Sequence, residues 1–246
     1  MSRRPYQALS HRDFRLLWGS NLVSITGSQM QVVAINLHVY LLTGSALALG
    51  MVGLTRVIPI ILFSLWGGVA ADRFDRRKLM FCTQFAMAVV ALALAGCTFL
   101  HRETVWGIYL LTALSAAATA FDNPTRQALI PRLVSREDLP GALALSLTAF
   151  HTAMIGGPAL AGLIIAGSGF SFTHDVTALA GHGTRSTGGL SLIYLLNAIS
   201  FLGVMISLLI MRTQGKVEAE NGAEHPHLLE SLKAGLRFVF TTPIMV

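Results

Sequence analysis

The chain has 246 residues, 53% apolar and 12% charged, with a mean hydropathy of +0.63. An ordinary soluble domain carries about twice that charged fraction, so lipid is the solvent for most of this chain. The formal charge of +6 does not mark a nucleic-acid binder, because the basic residues sit in short segments between apolar runs and form no single stripe.

Six long apolar stretches are expected to cross a membrane as helices: Leu16 to Leu42, Leu47 to Ala71, Leu79 to Leu100, Val105 to Phe121, Leu139 to Ala166, and Leu190 to Met211. A bilayer core of roughly 30 Å needs about 20 helical residues. A β-barrel is excluded, since its strands alternate in polarity and run about ten residues. Cys82 and Cys97 share the third span, about 22 Å apart at a rise of 1.5 Å per residue, and cannot pair with each other.

Arg3, Arg4, Arg12 and Arg15 precede the first span, and Asn21, Ser24, Ser28, Gln31 and His38 follow on one face within it. At 100° per residue that polar face is expected to line a substrate cavity. The turn Thr43 to Ala46 leads to the second span, where Arg56 is the formal charge lying well inside apolar sequence. Such a charge costs at least about 2.5 kcal/mol against lipid, so Arg56 is expected to face the cavity or a partner rather than hydrocarbon.

Arg73, Arg76, Arg77 and Lys78 follow the second span; Arg126, Arg132 and Arg136 follow the fourth; Arg212, Lys216, Lys233 and Arg237 follow the sixth. Only Arg102 and Arg185 fall on the opposite face, which places both termini in the cytoplasm by the positive-inside rule. Asp122, at the cytoplasmic end of span four, and His151 in span five are further titratable candidates for proton coupling. Their plainer roles are a cap before Pro124 and a histidine satisfied by a neighbouring carbonyl.

Residues 1–211 therefore read as one six-helix transmembrane bundle. The segment Gly167 to Gly189 reads as a solvated outer connector, and residues 212–246 as a cytoplasmic linker, an amphipathic helix at Leu228 to Phe240 and the start of a seventh span. The apolar run that opens near Pro243 leads us to expect a longer chain with a second half.

Two motifs carry a family resemblance. The stretch Gly68-Val69-Ala70-Ala71-Asp72-Arg73-Phe74-Asp75-Arg76-Arg77-Lys78 resembles the loop G-x-x-x-D-R-x-G-R-R/K between helices two and three of the major facilitator superfamily. Gly68 would allow close helix approach, Asp72 would cap the next turn or meet the other half, and Arg73, Arg76 and Arg77 would bind headgroups or bridge the bundle. Asp75 stands where the family has glycine, so the turn is made differently here. In span five, Gly156-Gly157-Pro158-Ala159-Leu160-Ala161-Gly162 resembles the G-P-x-x-G-G stretch of that superfamily's exporters. Ala153, Gly157 and Ala161 recur every four residues and would give a smooth packing stripe, with Gly162 adding to the packing, and Pro158 would bend the helix.

Val39 to Ala46, Phe121 to Pro131 and Arg136 to Ala142 extend the likeness, which is to the enterobactin-exporter subgroup. The resemblance implies an all-α membrane protein, the N-terminal bundle of a major facilitator fold built as a 3+3 inverted repeat. It further implies a non-enzymatic, cofactor-free, proton-driven exporter of a siderophore, drug or small metabolite in the bacterial inner membrane. One departure is that span four lacks the intramembrane arginine of many proton-coupled drug exporters.

An ATP-driven exporter would not account for the Asp72 loop, and no G-x-x-x-x-G-K motif occurs in the chain. A non-transporting membrane scaffold stays open as the alternative. Reporter fusions placed after Met211 should be active on the cytoplasmic side only; periplasmic activity there would overturn the topology.

Overall fold

The computed structural model describes residues 5–169 and 188–213. Six helices run in order as α1 (Arg12–Thr43), α2 (Ala46–Arg73), α3 (Arg76–Phe99), α4 (Val105–Leu129), α5 (Leu139–Gly167) and α6 (Gly188–Ile210), and the described residues contain no strand. The amphipathic helix expected at Leu228 to Phe240, the linker leading to it and most of the outer connector lie outside the described residues.

The stretches holding α2 to α6 are each long and apolar enough to cross a membrane, while α1 falls short because polar residues interrupt it. Those residues point into the bundle: Asn21, Ser24, Gln31 and His38 are all buried. The main difference from expectation is α4, which continues past Phe121 to Leu129 with Pro124 inside it.

Helix ends follow local chemistry. Gly44 closes α1 in the left-handed region (φ 62°), its N–H donating to the Tyr40 carbonyl at 2.8 Å. Ser45 and Thr104 cap α2 and α4 by accepting from Ala48 N and Gly107 N, contacts worth about 1 kcal/mol each. At the opposite end Asp13 accepts from Arg212 N, Thr213 N and Thr213 Oγ1 at 3.0, 2.8 and 2.6 Å, tying the start of α1 to the end of α6. Burial pushes the Asp13 carboxyl up, but these hydrogen bonds and the Arg12 charge outweigh it and hold the group below its ordinary value.

Packing runs α2 on α4, α4 on α3, α3 on α6, α6 on α1 and α1 on α5. Exchanging α1, α2, α3 for α4, α5, α6 maps that chain of neighbours onto itself. With three crossings per repeat the second copy is upside down, which makes the symmetry an inverted one.

The two equivalent crossings, α2–α4 and α5–α1, each rest on a glycine. A Cβ built on Gly67 would collide with the Ala120 carbonyl oxygen of α4, and one on Gly157 would lie 2.5 Å from Gln29 Cβ and 3.0 Å from the Thr26 carbonyl of α1. Ala153 and Ala161 are buried on the same stripe as Gly157. Gly68, expected to permit close approach, and Gly162, expected to pack, instead have open space where a Cβ would go. A step of one residue turns a side chain by about 100°, so the close contact passes to Gly67. Gly67→Leu and Gly157→Leu should each lose about 1–3 kcal/mol by overpacking, against about 0.5 kcal/mol or less for Gly162→Leu. Thermal unfolding of the purified protein checks the ranking.

Candidate functional site

The α2–α3 turn is built without a glycine. Phe74 takes an extended backbone, and Asp75 (φ −58°, ψ 112°) caps α3, its Oδ1 accepting from Arg77 N at 2.9 Å and Lys78 N at 3.2 Å. The capping expected of Asp72 thus belongs to Asp75. Asp72 is exposed, with Arg76 4.0 Å away, and Arg73 is exposed beside it.

Arg76 Nε donates to the Ala71 carbonyl and its NH1 to the Ala128 carbonyl, both at 3.1 Å. Arg77 NH2 donates to the Leu209 carbonyl at 3.0 Å. Two arginines at the start of α3 therefore satisfy orphan carbonyls at the ends of α2, α4 and α6, where the helix dipoles also favour cations. The loop bolts four helices together at one face.

The polar face of α1 meets α6. Asn197 Nδ2 donates to Gln31 Oε1 at 2.7 Å, Ser200 Oγ donates to Asn197 Oδ1 at 3.1 Å, and Gly27 lets that pair approach. His38 Nδ1 lies 3.1 Å from the Tyr194 hydroxyl. Ser28 is half-buried. Gln31 and His38 are thus engaged between helices rather than on a cavity wall, because each finds its partner on α6.

Asn21 faces space. With Trp18, Ile25, Arg126 and Ser146 it lines a cavity of about 50 Å³ among α1, α4 and α5. Asn21 Oδ1 and Arg126 Nε are both buried there without a hydrogen-bond partner, so one acceptor and one donor are available to a small polar group.

Asp122 is not a cap. It is buried, accepts from Thr83 Oγ1 and Gln84 Nε2 of α3 at 2.9 Å each, and receives Arg126 NH2 on its other oxygen at 2.5 Å. Arg126, read from sequence as a loop cation, lies one turn on in the same helix; the i, i+4 spacing of opposite charges was the available signal. Helix α4, longer than the span expected from sequence, therefore holds Arg126 close to its end.

His151 is exposed against Phe150, so it is not the enclosed histidine expected. Arg56 is half-buried and makes no hydrogen bond or ion pair with the described residues. Around it Leu54, Val57, Ile58, Ile61, Leu62, Leu65 and Trp66 are exposed, an apolar helix face without a protein neighbour. Pro158 is also exposed, and α5 runs unbroken through it.

The family model described as transmembrane secretion effector, of the major facilitator type, matches residues 3–182. The chain belongs to that family. Macrolide efflux protein A of Streptococcus pyogenes is 30% identical over 151 residues, covering 61% of this chain and 37% of the relative. The staphyloferrin A transporter of Staphylococcus aureus is 27% identical over 158 residues, 62% and 38% of the two chains. The enterobactin exporter EntS of Shigella boydii is 25% identical over 237 residues, 96% and 51%. The chain thus spans about half, or less, of the length of these curated relatives. No solved structure matches it. The relatives are transporters, and this family member is a multi-pass membrane protein.

Asp122→Ala strips Arg126, Thr83 and Gln84 of their acceptor and should destabilise the bundle by about 3 kcal/mol, the cost typical of breaking a buried ion pair. A double-mutant cycle with Arg126→Ala, followed by thermal unfolding, should give a coupling of at least about 1 kcal/mol.

Proposed function

We propose that this chain is the first bundle of a proton-driven exporter in the bacterial inner membrane, with both termini in the cytoplasm. The solute is a siderophore, or a drug or small metabolite of similar amphipathic character, exchanged against protons. A second six-helix bundle would complete the transport path. The observation that carries the reading is the inverted pairing of α1–α3 with α4–α6, the architecture of transporters that rock two bundles about a midplane site. The relatives named for macrolide efflux and enterobactin export support the direction of transport.

In this mechanism the bundle moves as one body, because Arg76 and Arg77 fasten the ends of α2, α4 and α6 to α3. Asp72, exposed beside that bolt, would make and break a contact with the second bundle. Arg56 supplies a cation on the apolar α2 face, where it would meet an anionic group of the solute or a carboxylate of the second bundle. The cavity bounded by Asn21 and Arg126 gives the solute path a polar floor.

Efflux of a panel of siderophores and macrolides should be compared in cells with and without the full transporter. Asp72→Asn and Arg56→Leu should each cut efflux by about ten-fold or more while leaving the amount of protein in the membrane nearly unchanged. Equal efflux with and without the gene would refute the exporter reading. Normal efflux in both variants would reduce Asp72 and Arg56 to topological anchors.

A further inference from the structure

We propose that His38, Glu103 and Tyr194 form a proton-binding site at the end of the bundle remote from the α2–α3 bolt. What the bound proton drives rests on the exporter reading; that the site binds one does not.

Three separated elements build the cluster: α1 supplies His38 near its last turn, the α3–α4 turn supplies Glu103, and α6 supplies Tyr194. His38 is 1% exposed, Tyr194 0%, and the Glu103 side chain 11%. His38 Nδ1 lies 3.1 Å from the Tyr194 hydroxyl and Nε2 lies 3.9 Å from Glu103 Oε1. Glu103 Oε2 is buried with no hydrogen-bond partner among the described residues. The phenol and imidazole rings lie nearly parallel, with centroids 6.1 Å apart.

A lone carboxylate in such a place is costly. One proton added to the imidazole gives it a counter-charge and leaves the pair neutral overall. The tyrosine hydroxyl serves both states. Beside a neutral imidazole it donates to Nδ1; beside an imidazolium it rotates and accepts from Nδ1–H. Only one N–H bond forms or breaks, the proton exchanging with water at this face. Asp122 is different in kind, since its cation is an arginine, which does not give up its proton in proteins.

Among the described residues the other titratable or charged groups near this end are few. His101 and Arg102 share the turn with Glu103 but are exposed, and Tyr40 sits half-buried on α1. Tyr109 of α4 donates its hydroxyl to the Ala48 carbonyl. Along α2 the first titratable group is Arg56, the last turn of α3 carries Cys97, which is exposed, and α5 has none beyond His151. Among the described residues the buried group that faces the Glu103 carboxylate is therefore His38, 3.9 Å away.

The test is thermal unfolding of the purified full transporter across about pH 5 to 8, where imidazoles change charge. We compare wild type with His38→Gln, Glu103→Gln and Tyr194→Phe. A site that exchanges a proton makes stability depend on pH. His38→Gln and Glu103→Gln should each flatten that dependence, while Tyr194→Phe, which removes one hydroxyl, should keep it with a shifted midpoint. Curves for His38→Gln and Glu103→Gln that run parallel to wild type would show a purely structural hydrogen bond and overturn the proposal. If His38→Gln fails to fold, Glu103→Gln decides by the same criterion.

Proteoliposomes with erythromycin as probe then connect the site to transport. Uptake driven by a pH gradient should fall by about ten-fold or more in Glu103→Gln, with gradient-free exchange retained. A wild type that moves no probe yet shows the His38-dependent and Glu103-dependent pH profile would refute the exporter reading and uphold the proton site.

Discussion

Hydrocarbon offers no partner to a polar group, and the arrangement of this bundle follows from where its buried polar side chains meet one another. Gln31 finds Asn197, Asp122 finds Thr83, Gln84 and Arg126, and His38 finds Tyr194. Every one of these links except Asp122 to Arg126 joins two helices. Apolar contact alone gives little preference in lipid for one rotation of a helix over another. The polar pairs set that rotation, which explains how α1, the most polar helix of the six, comes to be held between α5 and α6.

The same accounting governs the helix ends. Orphan carbonyls at the ends of α2, α4 and α6 are met by Arg76 and Arg77, and backbone donors after α6 are met by Asp13. One face of the bundle is thereby closed by charge-assisted hydrogen bonds, which are shorter and stronger than neutral ones. The opposite end carries the His38, Glu103 and Tyr194 cluster, so the two ends differ in chemistry. Arginine at one end holds its charge permanently; histidine at the other can change it.

Close packing supplies the second constraint. The inverted repeat places α2 against α4 and α5 against α1 in equivalent ways, and each crossing depends on a backbone approach that only glycine permits, at Gly67 and Gly157. Two tight crossings and a bolted face give a body that can rotate as a unit, as alternating access requires. The apolar face of α2 around Arg56 forms part of that body's surface.

The sequence by itself determined the six helices, five of them as runs of about 20 or more apolar residues that meet the condition for membrane insertion locally, and α1 as a long run with a polar stripe. It also determined the family, through the Asp72 loop and the Gly157 stretch, and the existence of a polar stripe on α1. Tertiary structure decided what those residues touch. Periodicity could not tell Gly67 from Gly68, could not show that Asp75 and not Asp72 caps α3, and gave no sign that Glu103, in the α3–α4 turn, lies beside His38. Arg126 looked like loop charge until α4 proved to extend past it. In each case the deciding quantity is the rotation and height of one helix relative to another far away in the chain, and a single-residue step of 100° is enough to exchange a buried partner for open space.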